Sequence, residues 1–320
     1  MKLPSSVVVR EVGLRDGLQS RPQVVPTAIK AEMMRGLIDA GFHKINAVAF
    51  VNPRVTPQMA DAEQLLEVVG PVEGACISAL IPNARGLERA RPLAARGLIH
   101  EALLLYATTS GVLKANGLPG DLDKAHADAV ALCAQCKQLG LRTVVFVSAT
   151  FGCSIEGYVD PKIPLAAGEK FRVSGVVDEI VYSDSTGQAN PKQVFDLFSE
   201  VKRRFGPFPI TAHFHDTRGA GLANALAVLQ VGLEHLTIDS AFAGLGGDIP
   251  FLPEAAGNIC TEDMISMLDG CGVATGIDLK RVIEVSRLAK AQFPDPLQSR
   301  VLEAGPIWWQ GSQTRRGVNA

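Results

Sequence analysis

Short apolar runs alternate with amphipathic stretches along the chain. The first run, Val7-Val8-Val9, is β-branched, too short for a helix and flanked by polar residues, which predicts a buried strand. TAIKAEMMRGLIDAG follows, with apolar residues at helical spacing. KINAVAF (44–50) then precedes PQMADAEQLLEVVG, ACISALI (75–81) precedes NARGLERARPLAARG, and IHEALLLYA (99–107) precedes a helical pattern over 121–140. RTVVFVS (142–148) leads to a segment around 166–173, Glu179–Ser183 to PKQVFDLFSEVKRRFG, PITAHF (209–214) to GLANALAVLQVG, and HLTID (235–239) to TEDMISMLDGCG. Gly41, Gly74, Gly97, Gly140 and Gly232 fall where helices should stop.

Eight strand-helix units within roughly 270 residues, with no linker between them, predict an α/β fold of the TIM (β/α)8 barrel type. An open doubly wound sheet would instead expect a glycine fingerprint after an early strand, and DGLQSRP (16–22) is not one. The barrel is expected to span 1–293, counting an additional C-terminal helix over Asp278–Phe293, with a C-terminal arm over 294–320. Trp308 and Trp309 in the arm are read as packing on the barrel or on a second subunit, compatible with a homo-oligomer.

Composition narrows the partners. The 320 residues are 47% hydrophobic and 20% charged, and the net charge of −2 comes without a basic run. That argues against a nucleic-acid groove or a membrane anchor and for a small-molecule partner. No stretch approaches the ~18 apolar residues of a spanning helix and the first residues lack a signal-peptide core, so a cytoplasmic location is expected. The six cysteines are read as thiols; Cys133 and Cys136 sit in a helical pattern with no second pair to complete a zinc site, and are expected to be buried.

In such a barrel, chemistry gathers where strands end. After strand one, EVGLRDGLQS (11–20) offers Arg15 and Asp16; strand six offers Asp184; strand seven ends in His213-Phe214-His215-Asp216, whose alternation puts both imidazoles on one side. The loop after strand eight carries glycines at 244, 246, 247 and 257 and ends at Asn258. Two imidazoles, a carboxylate and a carboxamide at one rim suit a divalent metal such as Mg2+ or Mn2+. Each alone has a plainer reading: His215-Asp216 as a helix cap, Asp16 as a turn acceptor. His43, His100, His126 and His235 have no expected task.

EVGLRDGLQ, AFVNP (49–53), TPQM (56–59), HFHDTRGAGLAN, AGLGG and AAGNICTED resemble the 3-hydroxy-3-methylglutaryl-CoA lyase family, in register from about Val7 to the helix after Asp278. RDGLQ and HDTRG are lyase-like, where the condensing synthases of related barrels, the citramalate and isopropylmalate type, read RDGEQ and HNDxG. The resemblance implies metal-dependent retro-aldol cleavage of a 3-hydroxyacyl-CoA with a distal carboxylate, giving acetyl-CoA and a keto acid. It further implies Asp16, His213, His215 and Asn258 as metal ligands, Arg15 as donor to the thioester oxygen, Asp184 as base or proton relay, and Gln19 as a substrate-orienting residue.

Departures from the family pattern fall on the substrate side. The family's cysteine after GLGG is missing: Asp248 stands there, one residue is added before Asn258, and counting back from Asn258 puts Ile249 at the cysteine position. Cys153 and Cys260 lie elsewhere. On strand two the family's glutamate is Asn46, and a family cysteine is Ala149. Asn46 is therefore expected at the substrate, and Asp248 as the acid that quenches the enolate, carried by a lid hinged at the loop glycines. A lyase for hydroxymethylglutaryl-CoA or a related substrate such as citramalyl-CoA is favoured over a condensing acyltransferase of the same barrel or a non-catalytic acyl-CoA binding protein.

Overall fold

Eight parallel strands close on themselves in the computed structural model, which describes residues 2–247, 252, 255–295 and 297–307. They are β1 (Val8–Glu11), β2 (Lys44–Ala49), β3 (Cys76–Leu80), β4 (Glu101–Ala107), β5 (Arg142–Ser148), β6 (Glu179–Asp184), β7 (Ile210–Phe214) and β8 (Leu236–Ser240). Each pairs with its neighbours in chain order, and β1 closes the ring against both β2 and β8. All eight were expected from the apolar runs. Val144, Val145 and Val147 of β5 show why: they are fully buried, as both faces of a barrel strand are covered.

The helices α1 (Thr27–Asp39), α2 (Ala62–Val69), α3 (Ala84–Ala95), a short α4 (Ser110–Ala115), α5 (Leu122–Gln138), α6 (Lys162–Val173), α7 (Pro191–Phe205), α8 (Gly221–Val231) and α9 (Thr261–Gly270) surround the ring. In α7, Pro191 opens the helix, Asn190 and Gln193 cap it reciprocally, and Val194, Leu197, Phe198, Val201 and Phe205 form the buried stripe. Burying one such side chain contributes about 1.5–3 kcal/mol. Cys133 and Cys136 are buried thiols on α5.

The expected C-terminal helix is α10 (Leu279–Lys290), which lies against α1 so closely that a Cβ on Gly36 would meet Val285 at 2.6 Å. A further helix, α11 (Arg300–Ala304), follows; Trp308 and Trp309 lie outside the described residues. The stop expected at Gly74 comes at Gly70, and Gly74 instead turns the chain into β3 with φ 76°. Neither α4 nor the small hairpin pairing Gly152–Cys153 with Gly157–Tyr158 was foreseen, since both sit in loops.

The lower barrel interior is charged where apolar layers are usual. Arg10 is fully buried opposite Asp239, and its fork grips both carboxylate oxygens at 2.8 and 3.0 Å. Its Nη1 reaches Glu179 at 3.3 Å and Glu101 at 3.5 Å. Glu179 also accepts from Thr211 at 2.5 Å and from Lys44 at 2.6 Å at the barrel floor. Such a network stands because every charge but Glu101 has hydrogen-bonded company; removing one partner strands the other.

At the upper end of β1, Glu11 clasps the strand to the last loop. Its carboxyl accepts from the backbone N–H groups of Gly13 (2.7 Å) and Phe242 (3.0 Å) and from the Thr261 hydroxyl (2.7 Å). Burial pushes this carboxyl up from its ordinary 4.5 to about 8, against the pull of those donors. A raised acid favours the fold most below about 4.5, and the contribution is lost as pH rises through about 8. Glu11→Gln keeps a neutral acceptor, so urea unfolding at pH 9 should show it at least as stable as the parent. A Glu11→Gln midpoint lowered equally at pH 5 and pH 9 would show instead that the clasp is ionised.

Candidate active site

The turn that carries Arg15 and Asp16 is a single π-helical turn over Gly13–Gly17. The Val12 carbonyl accepts three backbone N–H groups, from Arg15 (3.2 Å), Asp16 (2.8 Å) and Gly17 (3.3 Å), so the chain winds tightly as it leaves β1. Only glycine fits at both ends. A Cβ on Gly13 would meet the Phe242 ring at 2.7 Å, and one on Gly17 would meet Leu245 at 2.7 Å.

Asp16 is the hub of what gathers above. Its Oδ1 accepts from Arg15 Nη1 at 2.5 Å, and its Oδ2 accepts from Asn258 Nδ2 at 2.8 Å. The Nε2 atoms of His213 and His215 stand 3.9 and 3.7 Å from the same Oδ2. Burial works to raise the Asp16 carboxyl, but Arg15, the two imidazoles and the Asn258 amide outweigh it and hold it well below the usual range. It is a permanent anion at neutral pH.

Both imidazoles are oriented from behind. His215 Nδ1 lies 3.0 Å from the Ala256 carbonyl, and a carbonyl can only accept, so Nδ1 carries the proton and Nε2 presents a lone pair. Burial, then the neighbouring His213, push His215 down to about 4, so it is neutral at physiological pH. His213 Nδ1 is held at 3.0 Å by Asp239 Oδ2, and its ring stands edge-on to Phe146.

One carboxylate oxygen and two imidazole nitrogens within 4.8 Å of one another make a donor set for a divalent cation. Among the described residues the buried Oδ1 of Asn258 has no hydrogen-bond partner, an acceptor that a cation would satisfy. The residues present therefore fit a metal ion.

Beside these groups is a cavity of about 140 Å³. Leu80, Leu105 and Phe146 give it apolar wall, while Gln19, Asn116, Ser148, Ser183 and Ser185 give it polar wall. Gln19 lines this cavity, and among the described residues its buried Oε1 lacks a partner. Arg15 is braced by Asn46 at Nε (2.6 Å) and by Asp16 at Nη1, with the Phe146 ring 5.9 Å from its Cζ. Its Nη2 makes no hydrogen bond among the described residues.

Two expectations need correction. Asp184 does not join the cavity: Ser183 and Ser185 on either side line it, and alternation turns Asp184 outward, where it accepts from the backbone N–H groups of Gln188 (2.9 Å) and Ala189 (2.8 Å). Burial raises its carboxyl, but its task is to hold the loop that continues β6. Asn46 is fully buried beneath Arg15, bonded to it and to the Ser78 carbonyl, so it supports the arginine rather than touching a substrate.

The loop glycines sit in a tightly packed stem. Gly244, Gly246 and Gly247 hold φ of 63°, 127° and 100°, and a Cβ on Gly257 would stand 2.1 Å from the Gly244 carbonyl oxygen. Asn258 N–H bonds the Leu245 carbonyl at 3.2 Å. These glycines allow close packing of the loop's stem. Asp248 and Ile249 lie outside the described residues. Asp216 bears out its plainer reading, capping α8 through the Gly221 N–H at 2.7 Å.

Arg10, Glu11 and Asp239, which hold the site from below, were not picked out from the sequence. Their signal was a charge inside an apolar strand. Cys153 and Cys260 are buried away from the cavity, Cys153 against Glu156 and Cys260 against Glu262.

A family profile described as HMGL-like matches residues 6–289. The (R)-citramalyl-CoA lyase of Chloroflexus aurantiacus is 37% identical over 95% of this chain and 96% of its own length. The mitochondrial hydroxymethylglutaryl-CoA lyase of Macaca fascicularis is 33% identical over 94% of this chain and 90% of its own. Among solved structures, an HMG-CoA lyase from Acinetobacter baumannii, in complex with coenzyme A and 3-methylmalate, superposes with a TM-score of 0.87 at 34% identity, covering 96% of this chain and 97% of its own.

The packing at Gly257 yields a direct check on the site. In Gly257→Ala the new methyl must displace the Gly244 backbone and with it Asn258. Calorimetric titration should show Mn2+ binding weakened by about tenfold or more, the scale of disturbing a ligand's support. Unchanged affinity would remove Asn258 from the cation site.

Proposed function

The chain belongs to the HMGL-like family, and on that premise we propose that its barrel mouth cleaves a 3-hydroxyacyl-CoA bearing a distal carboxylate into acetyl-CoA and a keto acid. The chain is a carbon-carbon lyase of that family. One observation supports this reading of the site: Arg15 lines the same small cavity as Asp16, His213 and His215, and its Nη2 makes no hydrogen bond among the described residues.

Asp16, His213, His215 and Asn258 would hold the divalent cation, proposed as Mg2+ or Mn2+. When bound, such a cation supplies a template and a Lewis acid for the oxygens of the hydroxy acid. Arg15 serves the other half of the substrate. Its guanidinium cannot ligate a cation, but its free Nη2 can donate to the thioester oxygen, where charge grows as the carbon-carbon bond breaks and its electron pair passes into the enolate. Asn46 and Asp16 fix the guanidinium in advance, so little reorganisation is needed. Gln19 and the serine hydroxyls that line the cavity would bind the acyl oxygens.

The hydroxyl loses a proton in forming the ketone, and the enolate carbon takes one up. Among the described residues the cavity lining holds no thiol, and no carboxyl besides Asp16. Asp248, outside the described residues, is our candidate for returning the proton. The first substrate to test is citramalyl-CoA, because the Chloroflexus relative is named for that ester.

Incubation of the Mg2+-supplemented protein with (R)-citramalyl-CoA, hydroxymethylglutaryl-CoA and other 3-hydroxyacyl-CoAs should release acetyl-CoA from at least one; release from none would overturn the reading. Arg15→Met should lower kcat about 10²-fold or more without weakening Mn2+ binding. Loss of Mn2+ binding in that variant would show that Arg15 serves the cation instead. Iodoacetamide should alkylate the exposed Cys271 and leave activity intact, since the other cysteines are wholly or partly buried and none lines the cavity. Rapid inactivation would point to a thiol as proton donor.

A further inference from the structure

We propose that Arg10 and Asp239 are positioning residues that act on the cation site through His213, fixing the tautomer and aim of its imidazole from inside the barrel. The inference rests on the reading of His213 as a cation ligand.

The two histidines are held by unlike partners. His215 leans on a neutral backbone carbonyl, whereas His213 leans on a carboxylate. A carboxylate behind an imidazole fixes the proton on the near nitrogen and makes the far one a better donor. That works only if the carboxylate itself is fixed. Asp239 is: Arg10 Nε takes Oδ1 at 2.8 Å and Arg10 Nη2 takes Oδ2 at 3.0 Å, and the same Oδ2 faces His213 Nδ1. The fork leaves Asp239 one orientation.

Arg10 is fixed in turn. It stands opposite Asp239 in the β1–β8 register, its Nη1 points to Glu179, and Glu179 is tied to Thr211 and to Lys44 at the floor. The Phe146 ring ties the layers together, 5.8 Å from the Arg10 guanidinium carbon below, 5.9 Å from that of Arg15 above, and edge-on to His213. Both Arg10 and Asp239 have no solvent exposure, so water cannot replace either partner. Glu101 differs: it lies 3.5 Å from Arg10, but neither of its oxygens makes a hydrogen bond among the described residues. It is therefore the internal control.

The test uses the full chain and two readouts. Nitrogen-15 NMR of the metal-free protein should show His213 protonated at Nδ1 in the parent and in Glu101→Gln, and a mixture of tautomers in Asp239→Asn and Arg10→Met. Mn2+ titration should give unchanged affinity in Glu101→Gln and a ten- to hundredfold loss in Asp239→Asn and Arg10→Met. Arg10→Lys, which keeps the charge and loses the fork, should fall between, and it decides the matter with Asp239→Asn if Arg10→Met fails to fold. Lowered melting temperatures with unchanged tautomer and Mn2+ affinity would overturn the proposal and leave Arg10 a structural staple. If His215→Ala binds Mn2+ like the parent, the cation reading fails by itself, and the tautomer result still decides whether Arg10 and Asp239 position His213.

Discussion

The upper barrel is organised around one carboxylate. Asp16 holds Arg15 with one oxygen and Asn258 with the other, and both imidazoles turn their Nε2 atoms toward it. A part-buried anion with so many neighbours keeps its place only if they are placed too, and the surrounding chain is shaped to place them. The three N–H groups wound onto the Val12 carbonyl lift Asp16 over the mouth. Glycines at 13 and 17 let that turn lie against Phe242 and Leu245, and Gly257 lets the stem of the last loop bring Asn258 in from the opposite side. The anion and its cationic neighbour Arg15 then divide the cavity into one side suited to a cation and one suited to an oxyanion.

That arrangement stands on a second one beneath it. Barrel cores are normally filled by branched apolar side chains; here Arg10, Asp239, Glu179 and Glu101 fill a layer, with Lys44 closing it from the floor. As stability, such a layer is costly to assemble and costlier to interrupt. As geometry, it ties β1, β2, β6, β8 and, through Thr211, β7 to one another by directional bonds that apolar packing would not supply. His213, the ligand rooted in this layer, thereby inherits the rigidity of the whole ring, while His215 depends on the loop that ends at Asn258.

The barrel was legible because periodicity reports on it directly: each strand is an apolar run and each helix an amphipathic one. Asp16, His213, His215 and Asn258 were legible because polar residues at strand ends have few other reasons to converge. What the sequence concealed was direction. Asp184 is the last residue of a strand whose inward positions are Glu179 and Ser183, with Ser185 inward just beyond it, so its parity already pointed outward, yet its carboxylate chemistry invited a catalytic role. Asn46 has inward parity but lies one layer too deep to meet a substrate. The glycines of the last loop read as freedom, and the fold adds that they also supply the spaces that close packing of its stem requires. Arg10 was passed over because a charge at the end of a strand is ordinary, and only the fold puts Asp239 opposite it.

The central claim is that Asp16, His213 and His215 bind a divalent cation together. Pulsed electron paramagnetic resonance of the Mn2+-loaded protein tests it most directly, since directly bound imidazole nitrogens modulate the electron spin echo. The account predicts modulation from two imidazoles, reduced to one in His213→Ala and to one in His215→Ala. Mn2+ bound with no nitrogen modulation, or modulation unchanged in both variants, would contradict it.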